Sequence, residues 1–384
     1  MMLYAFNQVV LDPEKPVKQF GHSCQTEPVS RVHDSLHGRI LGLANSKLYF
    51  ISVSLDLLGI DYDFTRELTE LVQPLFDKPV KVVVSATHNH YGGYTRDKAY
   101  RKQCLEAVYE GVQALEFREG KLTASYKSIS YQGVGTSRIT NHEALVLLNL
   151  VQIYDDDREI CDIINYNCHP TVMKAEDTDF FTSEYVGYAL SQLKEDDREV
   201  DFTFLQGAAG DVSTRFTRTG QNYGSVVQLG QRFADKVQWL REQPAKRRPL
   251  TLTWKEKEIE IGYDLTDIDT SLLPDNLSKR ELYTIELGKE ARRELIAHPE
   301  RWQKSCVLTQ LNLGAVKIIF APNEFFSYYL SVLNTDRAFL VCYSNGYCPY
   351  VLPPEEIIYT YETFTDIMSR DTKLQIVETL KEFN

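Results

Sequence analysis

Pro79-Val-Lys-Val-Val-Val-Ser-Ala-Thr-His-Asn-His90 is a valine-rich run that ends in two histidines. A nearly continuous β-branched run predicts a strand buried on both faces, as in sheets that are covered by helices. The pattern predicts a helix before it, at 62–73, and a longer helix after it, at about 97–117. Because α/β folds place their sites beyond the carboxyl ends of such strands, His88 and His90 are the first candidate site residues.

The alternation of short strands and amphipathic helices continues along the chain. Further strands are predicted at 48–54, 121–129, 145–154, 160–167, 202–206, 250–260, 306–312, 314–321 and 338–343. Further helices are predicted near 183–194, 223–242, 278–297 and 372–382. The pattern predicts an α/β protein with a mixed β-sheet core and flanking helices, folded as a single large catalytic domain over 1–384. No internal repeat or flexible linker is evident in the residues.

Composition excludes several classes of protein. The 384 residues include 42 Lys plus Arg and 54 Asp plus Glu, a net charge of −12, which argues against nucleic acid or anionic membranes as partners. No run reaches the roughly 18 apolar residues of a transmembrane segment, and the N-terminus lacks the basic start of a signal peptide. Seven cysteines without a Cys-x-x-Cys pair indicate a reducing, cytoplasmic location.

Four other segments place polar groups after predicted strands. They are Cys168-His-Pro-Thr171, Gly210-Asp-Val-Ser213, Pro322-Asn-Glu-Phe325 and the tyrosine-rich stretch 341–351. Each also has a purely structural explanation: a loop histidine, a turn in which Asp211 caps the following segment, a glutamate at a helix start, and tyrosine packing. The glycines before Asp211 lack the Gly-Lys-Ser/Thr ending of a phosphate loop, and no Gly-x-Ser-x-Gly elbow supports a serine hydrolase.

Taken in order with Thr87-His-Asn-His90, these segments resemble the neutral/alkaline (non-lysosomal) ceramidase family. That family's zinc amidases cleave ceramide into sphingosine and a fatty acid. The segments are similar to the family's His-Thr-His-Ser, His-Pro-Thr, Gly-Asp-Val-Ser, Pro-Gly-Glu-Phe and Asn-x-Tyr-x-x-Tyr…Glu-Glu motifs. The resemblance extends from about residue 20 to about residue 365. It implies a role in sphingolipid metabolism and a lipid or small-molecule N-acyl amide as substrate.

Residue by residue, the resemblance implies one zinc ion per chain and a set of groups around it. The implied metal ligands are His88, His169, Glu324 and Tyr350. The implied catalytic groups are His90, Arg138 and Tyr361, and Ser213 is an implied substrate-binding residue. Zinc lowers the pKa of bound water from 15.7 to about 7, so that hydroxide attacks an amide carbonyl at neutral pH, while Arg138 and His90 stabilise the oxyanion.

The chain departs from the family pattern at several positions. Asn323 replaces a glycine, Asn89 and Tyr91 replace the residues around His90, and Thr214-Arg215 replaces Pro-Asn. The chain is also shorter than typical ceramidases, so neither their C-terminal immunoglobulin-like domain nor a secretion signal is expected. Two alternatives therefore stay open: a zinc hydrolase of a soluble N-acylated amine, amino sugar or peptide-like amide, and a non-catalytic binding protein of the same fold.

Overall fold

The computed structural model describes residues 2–21, 27–140, 142–174, 176, 178–273, 277–355 and 359–384. The helices are α1 (Tyr62–Val72), α2 (Lys98–Gln113), α3 (Glu184–Asp196), α4 (Tyr223–Glu242), α5 (Lys279–Ala297), α6 (Tyr328–Ser331), α7 (Tyr361–Thr365) and α8 (Arg370–Phe383). The strands of the first half are β1 (Met2–Val10), β2 (Val17–Lys18), β3 (Pro28–Val29), β4 (Arg31–Val32), β5 (His37–Ala44), β6 (Tyr49–Leu55), β7 (Val80–Ala86), β8 (Arg118–Gly120), β9 (Leu122–Ser130), β10 (Thr136–Ser137), β11 (Leu147–Asp155), β12 (Arg158–Tyr166) and β13 (Phe180–Phe181). Those of the second half are β14 (Asp201–Gln206), β15 (Val212–Ser213), β16 (Arg248–Pro249), β17 (Thr253–Glu260), β18 (Ser305–Asn312), β19 (Lys317–Phe320), β20 (Asn323–Phe325), β21 (Ala338–Val341) and β22 (Cys348–Val351).

Three mixed sheets form the framework. Their strand orders are β7-β6-β5-β1-β8, β14-β12-β11-β9-β16 and β17-β18-β19-β21. Four short two-stranded pairs, among them β10–β15 and β20–β22, tie the connecting loops together. The α/β class with mixed sheets and flanking helices is thus as the sequence predicts.

The three sheets repeat one topology. The repeating units are β1-β5-β6-β7, β9-β11-β12-β14 and β17-β18-β19-β21, each with its strands side by side in chain order. In every unit the first three strands are antiparallel and the last pair is parallel. A parallel pair needs a crossover, and its connection contains a helix each time: α1, α3 or α6. The repeat is one of strand order and not of residue identity, so it is compatible with a sequence in which no internal repeat is evident.

Each sheet packs one face on a shared central core and the other on helices. The central core draws apolar side chains from all three sheets, for example Phe50 and Val83, Val151 and Leu205, and Ile318 and Val341. Helices α1 and α2 cover the outer face of the first sheet, α3 and α4 that of the second, and α8 that of the third. In β7, Val82 and Val84 face the helices while Val83 faces the central core. This two-sided burial is why the strand is a valine run instead of an alternating pattern.

Two long strands, β1 and β5, were not predicted from the sequence. Strand β5 contains Gly38 and Gly42, and glycines inside a strand weaken the strand signal. A Cβ atom on Gly42 would lie 2.7 Å from the ring of Phe117. The glycine therefore marks a close approach of an aromatic ring to the sheet and not a turn.

The carboxyl ends of the three parallel pairs converge. The loop after β7 carries His88 and His90, the loop after β12 carries His169, and β20 follows β19 directly and carries Glu324. Each sheet thus contributes one polar segment to the same place. Among the described residues, no helix is both long and apolar enough to cross a bilayer.

Candidate metal centre

His88 lies two residues beyond β7, in a backbone conformation that few residues other than glycine adopt. Its φ is +62°, a left-handed geometry that costs about 1 kcal/mol or more for a side chain with a Cβ atom. Backbone hydrogen bonds from Thr87 and Asn89 to the end of β6 and the loop after it hold this turn. The imidazole is 1% exposed and stacks on the ring of Tyr343, with ring centroids 4.0 Å apart.

His169 is held by the Gly210–Ser213 segment. Its backbone N–H donates to the carbonyl of Val212, and the residue forms a parallel bridge with Ser213. Its Nδ1 lies 2.8 Å from the carbonyl oxygen of Ala209 and 3.0 Å from that of Val212. The glycine-rich segment therefore orients a histidine and does not form a phosphate site.

Glu324 is fully buried in the short strand β20. Its Oε1 lies 2.9 Å from Nε2 of His169 and 3.3 Å from Nε2 of His88, and its Oε2 accepts a hydrogen bond of 2.9 Å from the hydroxyl of Tyr347. Strand β20 pairs with β22 in parallel, which places Tyr350 beside Glu324 in the register.

Backbone carbonyls fix which nitrogen of each imidazole carries the proton. Nδ1 of His88 lies 2.9 Å from the carbonyl oxygen of Leu58, Nδ1 of His90 lies 3.0 Å from that of Gly21, and Nδ1 of His169 lies 2.8 Å from that of Ala209. A carbonyl oxygen only accepts, so Nδ1 donates and the neutral ring presents the lone pair of Nε2. The three rings thus turn their unprotonated nitrogens toward one another.

The donor atoms have the mutual spacing of metal ligands. Nε2 of His88 lies 3.0 Å from that of His169 and 3.3 Å from that of His90, and the ligand nitrogens of the three histidines all lie within 4.8 Å of one another. A tetrahedral ion with bonds of about 2.0–2.1 Å holds its ligand atoms about 3.3 Å apart. Oε1 of Glu324 is buried without a hydrogen-bond partner among the described residues. These residues therefore fit a small divalent metal ion.

The protonation states suit a metal as well. Burial lowers the pKa of His169 to about 4, and the positive charge of Arg138 acts in the same direction. Burial alone would raise the pKa of Glu324, but His88 and His169 outweigh it and hold that pKa well below its usual range. At neutral pH, His169 is thus uncharged and Glu324 is ionised, as metal ligands must be.

A second polar group, around Arg138, lies next to the cluster. Nη2 of Arg138 contacts the carboxylate of Glu362 at 2.6 Å, the carbonyl of Gly210 at 2.6 Å and the hydroxyl of Tyr350 at 3.0 Å. Burial raises the pKa of Tyr350, and Arg138 acts against that rise. The guanidinium is therefore held by three contacts of Nη2, while its Nε is buried without a hydrogen-bond partner among the described residues.

The remaining residues of the sequence prediction lie at the edge of this group. Tyr361 begins α7, and its ring meets that of Tyr350 edge-on, with ring centroids 6.2 Å apart. Ser213 is buried in β15, and its hydroxyl oxygen accepts from the backbone N–H of Arg215. His90 is 9% exposed, which makes it more accessible than His88. Glu356, part of the tyrosine-rich motif, lies outside the described residues.

Sequence reasoning missed several supporting residues. Tyr343 and Tyr347 were expected only to pack, yet one stacks on His88 and the other donates to Glu324. For Asp211, a cap of its own following segment was one of two interpretations; in the structure it instead accepts two hydrogen bonds of 2.7 Å from Ser327. The contact between Asp211 and Ser327 joins the segment behind His169 to the segment after Glu324. No local spacing could reveal a link across 116 residues.

Comparisons with known proteins bear on the fold. No family model and no curated protein matches the sequence. Among solved structures, neutral ceramidase from Pseudomonas aeruginosa superposes with a TM-score of 0.77 at 14% identity, over 100% of this chain and 74% of that chain. A ceramidase complexed with C2 superposes with a TM-score of 0.75 at 13% identity, with the same coverage. The chain therefore has the neutral ceramidase fold.

Proposed function

We propose that the protein is a zinc-dependent amidohydrolase that cleaves an N-acyl amide bond, built as one catalytic domain. The observation that carries the proposal is the convergence of His88, His169 and Glu324, with metal-ligand spacing, from segments that follow strands of three different sheets in the neutral ceramidase fold. The net reaction adds water across the amide: a C–O bond forms, the C–N bond breaks, and the nitrogen leaves with a proton as an amine.

The donor set would hold zinc through His88, His169 and Glu324, with Tyr350 as the fourth ligand. The hydroxyl of Tyr350 sits beside Arg138, whose positive charge favours the deprotonated phenol that a metal requires. A zinc ion bound there supplies a Lewis acid and lowers the pKa of water to about 7. Tyr347 orients Glu324 through its other carboxylate oxygen.

Arg138 is the group we assign to the carbonyl oxygen of the substrate. That oxygen gains negative charge when the carbonyl carbon is attacked, and a cation already held in place stabilises it without reorganisation. Glu362 and Gly210 fix the guanidinium, so its positive charge is held in one place beside the metal ligands.

We assign His90 and Tyr361 to proton handling around the substrate. Nδ1 of His90 donates to the carbonyl of Gly21, so the neutral ring carries its lone pair on Nε2, where a proton can be accepted. We place His90 outside the metal ligands, because its side chain is the most accessible of the three. Tyr361 contributes a hydroxyl near Tyr350, from which the departing nitrogen can receive a proton.

Ceramide, cleaved to sphingosine and a fatty acid, is the first substrate to test, since both structural neighbours are ceramidases. A soluble N-acylated amine is the second candidate, favoured by guanidinium groups described below. A binding protein without turnover is opposed by the intact donor set and by the presence of Arg138 beside it. We also propose a cytoplasmic location, because the cysteines within the described residues are all unpaired.

The test is hydrolysis of ceramide and of soluble N-acyl amides by protein purified without a metal-affinity tag. Activity should disappear with a chelator and return with zinc. Stoichiometric zinc without turnover of any amide would leave the metal site standing and overturn the amidase assignment.

A further inference from the structure

A pair of arginines lies beside the site. Arg215 and Arg218 lie just after Ser213, and both are half-buried. No carboxylate among the described residues forms an ion pair with either of them. In a chain with 54 acidic and 42 basic residues, a partly buried guanidinium without such a partner is a costly arrangement.

Backbone contacts hold both side chains against the segments that build the site. Nη1 of Arg215 donates to the carbonyl of Arg138 at 3.0 Å. Nη1 of Arg218 donates to the carbonyl of Thr171 at 2.5 Å and to that of Val172 at 3.3 Å. One arginine therefore contacts the residue assigned to the carbonyl oxygen, and the other contacts the loop after His169.

The positive groups lie close enough to act on one another. The pKa of Arg215 is lowered by burial first and then by Arg280, and Arg218 and Arg138 act in the same direction. The carboxylate that opposes this shift, that of Glu281, is engaged in the capping box of α5 with Ser278. Burial also lowers the pKa of Arg218, with Glu184 acting against this shift and Arg280 acting with it. Arg138, Arg215, Arg218 and Arg280 thus form a cationic group in an otherwise acidic protein.

Each guanidinium has five N–H donors and uses only a few of them in hydrogen bonds to backbone carbonyls. The planar fork of a guanidinium matches a carboxylate, which takes charge-assisted hydrogen bonds, and Arg218 is close enough to Arg215 for its charge to act on it. Ceramide carries no anionic group to fill this role. The sequence also departs from the ceramidase pattern here, with Thr214-Arg215 in place of Pro-Asn.

We propose that Arg215 and Arg218 bind a carboxylate of the substrate, so that the preferred substrates are N-acyl amino acids and not neutral ceramides. This inference rests on the proposed amidase function. The arginines select the substrate and take no part in bond cleavage.

The test measures binding apart from turnover. The probe is the keto isostere of an N-dodecanoyl amino acid, in which CH₂ replaces the amide NH, so that no C–N bond can break. It is prepared with the carboxylate two or four carbons from the ketone, and the matching keto alcohols serve as neutral ligands. Calorimetry on the full-length, metal-loaded protein should show at least one keto acid binding about tenfold or more tighter than its alcohol.

The substitutions Arg215→Gln and Arg218→Gln should each reduce that preference, and the double variant should bring it close to one. Arg66→Gln on the exposed face of α1, which removes the same charge, should leave it unchanged. Equal binding of acid and alcohol, or a preference that survives the double substitution, would overturn the inference. Tight keto-acid binding without hydrolysis of N-dodecanoyl amino acids would instead overturn only the amidase function.

Discussion

Nε2 of His88 and Nε2 of His169 lie 3.0 Å apart, although 81 residues separate the two histidines. Each ring donates its Nδ1 hydrogen to a backbone carbonyl, so two lone pairs face each other across this gap. Such a contact is repulsive unless a positive charge lies between the nitrogens. The carboxylate of Glu324 lies within 3.3 Å of both nitrogens. A metal ion is therefore the positive charge that all three groups could bind together.

Replacement of these ligands should remove the metal. In His88→Ala, His169→Ala and Glu324→Gln, plasma mass spectrometry should find little zinc, against about one per chain in the wild type, and hydrolysis should be abolished. His298→Ala, which changes a half-buried histidine at the end of α5, is the control and should keep its zinc. A Glu324→Gln protein with full zinc and full activity would contradict the ligand assignment.

The variant His90→Ala tests whether His90 is a catalytic group or a metal ligand. We expect zinc content to stay near one per chain and kcat to fall about 100-fold or more, because general acid–base groups typically contribute that much. The measurement pairs metal analysis with steady-state kinetics. If His90→Ala loses its zinc while Tyr350→Phe keeps it, the fourth ligand is His90 and not Tyr350.

Arg138→Gln should act on turnover and not on metal binding. Loss of one preorganised donor to a developing oxyanion typically costs about 3–4 kcal/mol of barrier, or roughly 100- to 1,000-fold in kcat. Zinc content, measured on the same sample, should match the wild type. A kcat within about twofold of the wild type would remove Arg138 from the mechanism.

Tyr347→Phe removes the hydroxyl that orients Glu324 and leaves the ring in place. Outer hydrogen bonds of this kind typically contribute about 10- to 100-fold to metal affinity, so zinc should transfer to a competing chelator at a correspondingly lower chelator concentration. Tyr359→Phe is a matched control, since that hydroxyl donates to the backbone of Asp269, away from the metal ligands. Equal retention of zinc in both variants would refute the role of Tyr347.

Glu184 should make stability depend on pH. Its buried carboxylate accepts backbone hydrogen bonds from Val172, Met173 and Tyr185, yet burial raises its pKa to about 7 from 4.5. In that interval the folded state binds more protons than the unfolded state. The contribution of this group is therefore full below the unfolded pKa and is lost as pH rises through the folded pKa.

The comparison with Glu184→Gln, which cannot titrate, isolates this effect. From about pH 5 to pH 8 the unfolding free energy of the wild type should fall relative to that of Glu184→Gln by at most about 3 kcal/mol. Urea denaturation at both pH values measures it, with the exposed Glu242→Gln as the control. A constant difference between wild type and Glu184→Gln would show that Glu184 ionises normally.

Local pattern was sufficient for much of the fold. Hydrophobic periodicity predicts strands that match β7, β11, β12, β14 and β18 and helices that match α1 to α5. It does so because an element buried on one or two faces has apolar residues at regular positions along the chain. The positions of His88, His169 and Glu324 after strand ends also follow from the chain alone. Strand β5 was not predicted, because a glycine such as Gly42 is typical of a turn. The structure shows that the glycine is there because the ring of Phe117 packs against it.

By itself, then, the sequence determined the α/β class and the residues that could carry chemistry at the ends of its strands. Only the tertiary structure decided that three sheets of one topology bring those ends together, that Tyr347 supports Glu324, and that Asp211 holds Ser327. The physical reason is range: periodicity records contacts between residues a few positions apart. The spacing of donor atoms depends instead on how sheets pack, and long-range contacts of that kind leave no pattern in a single chain.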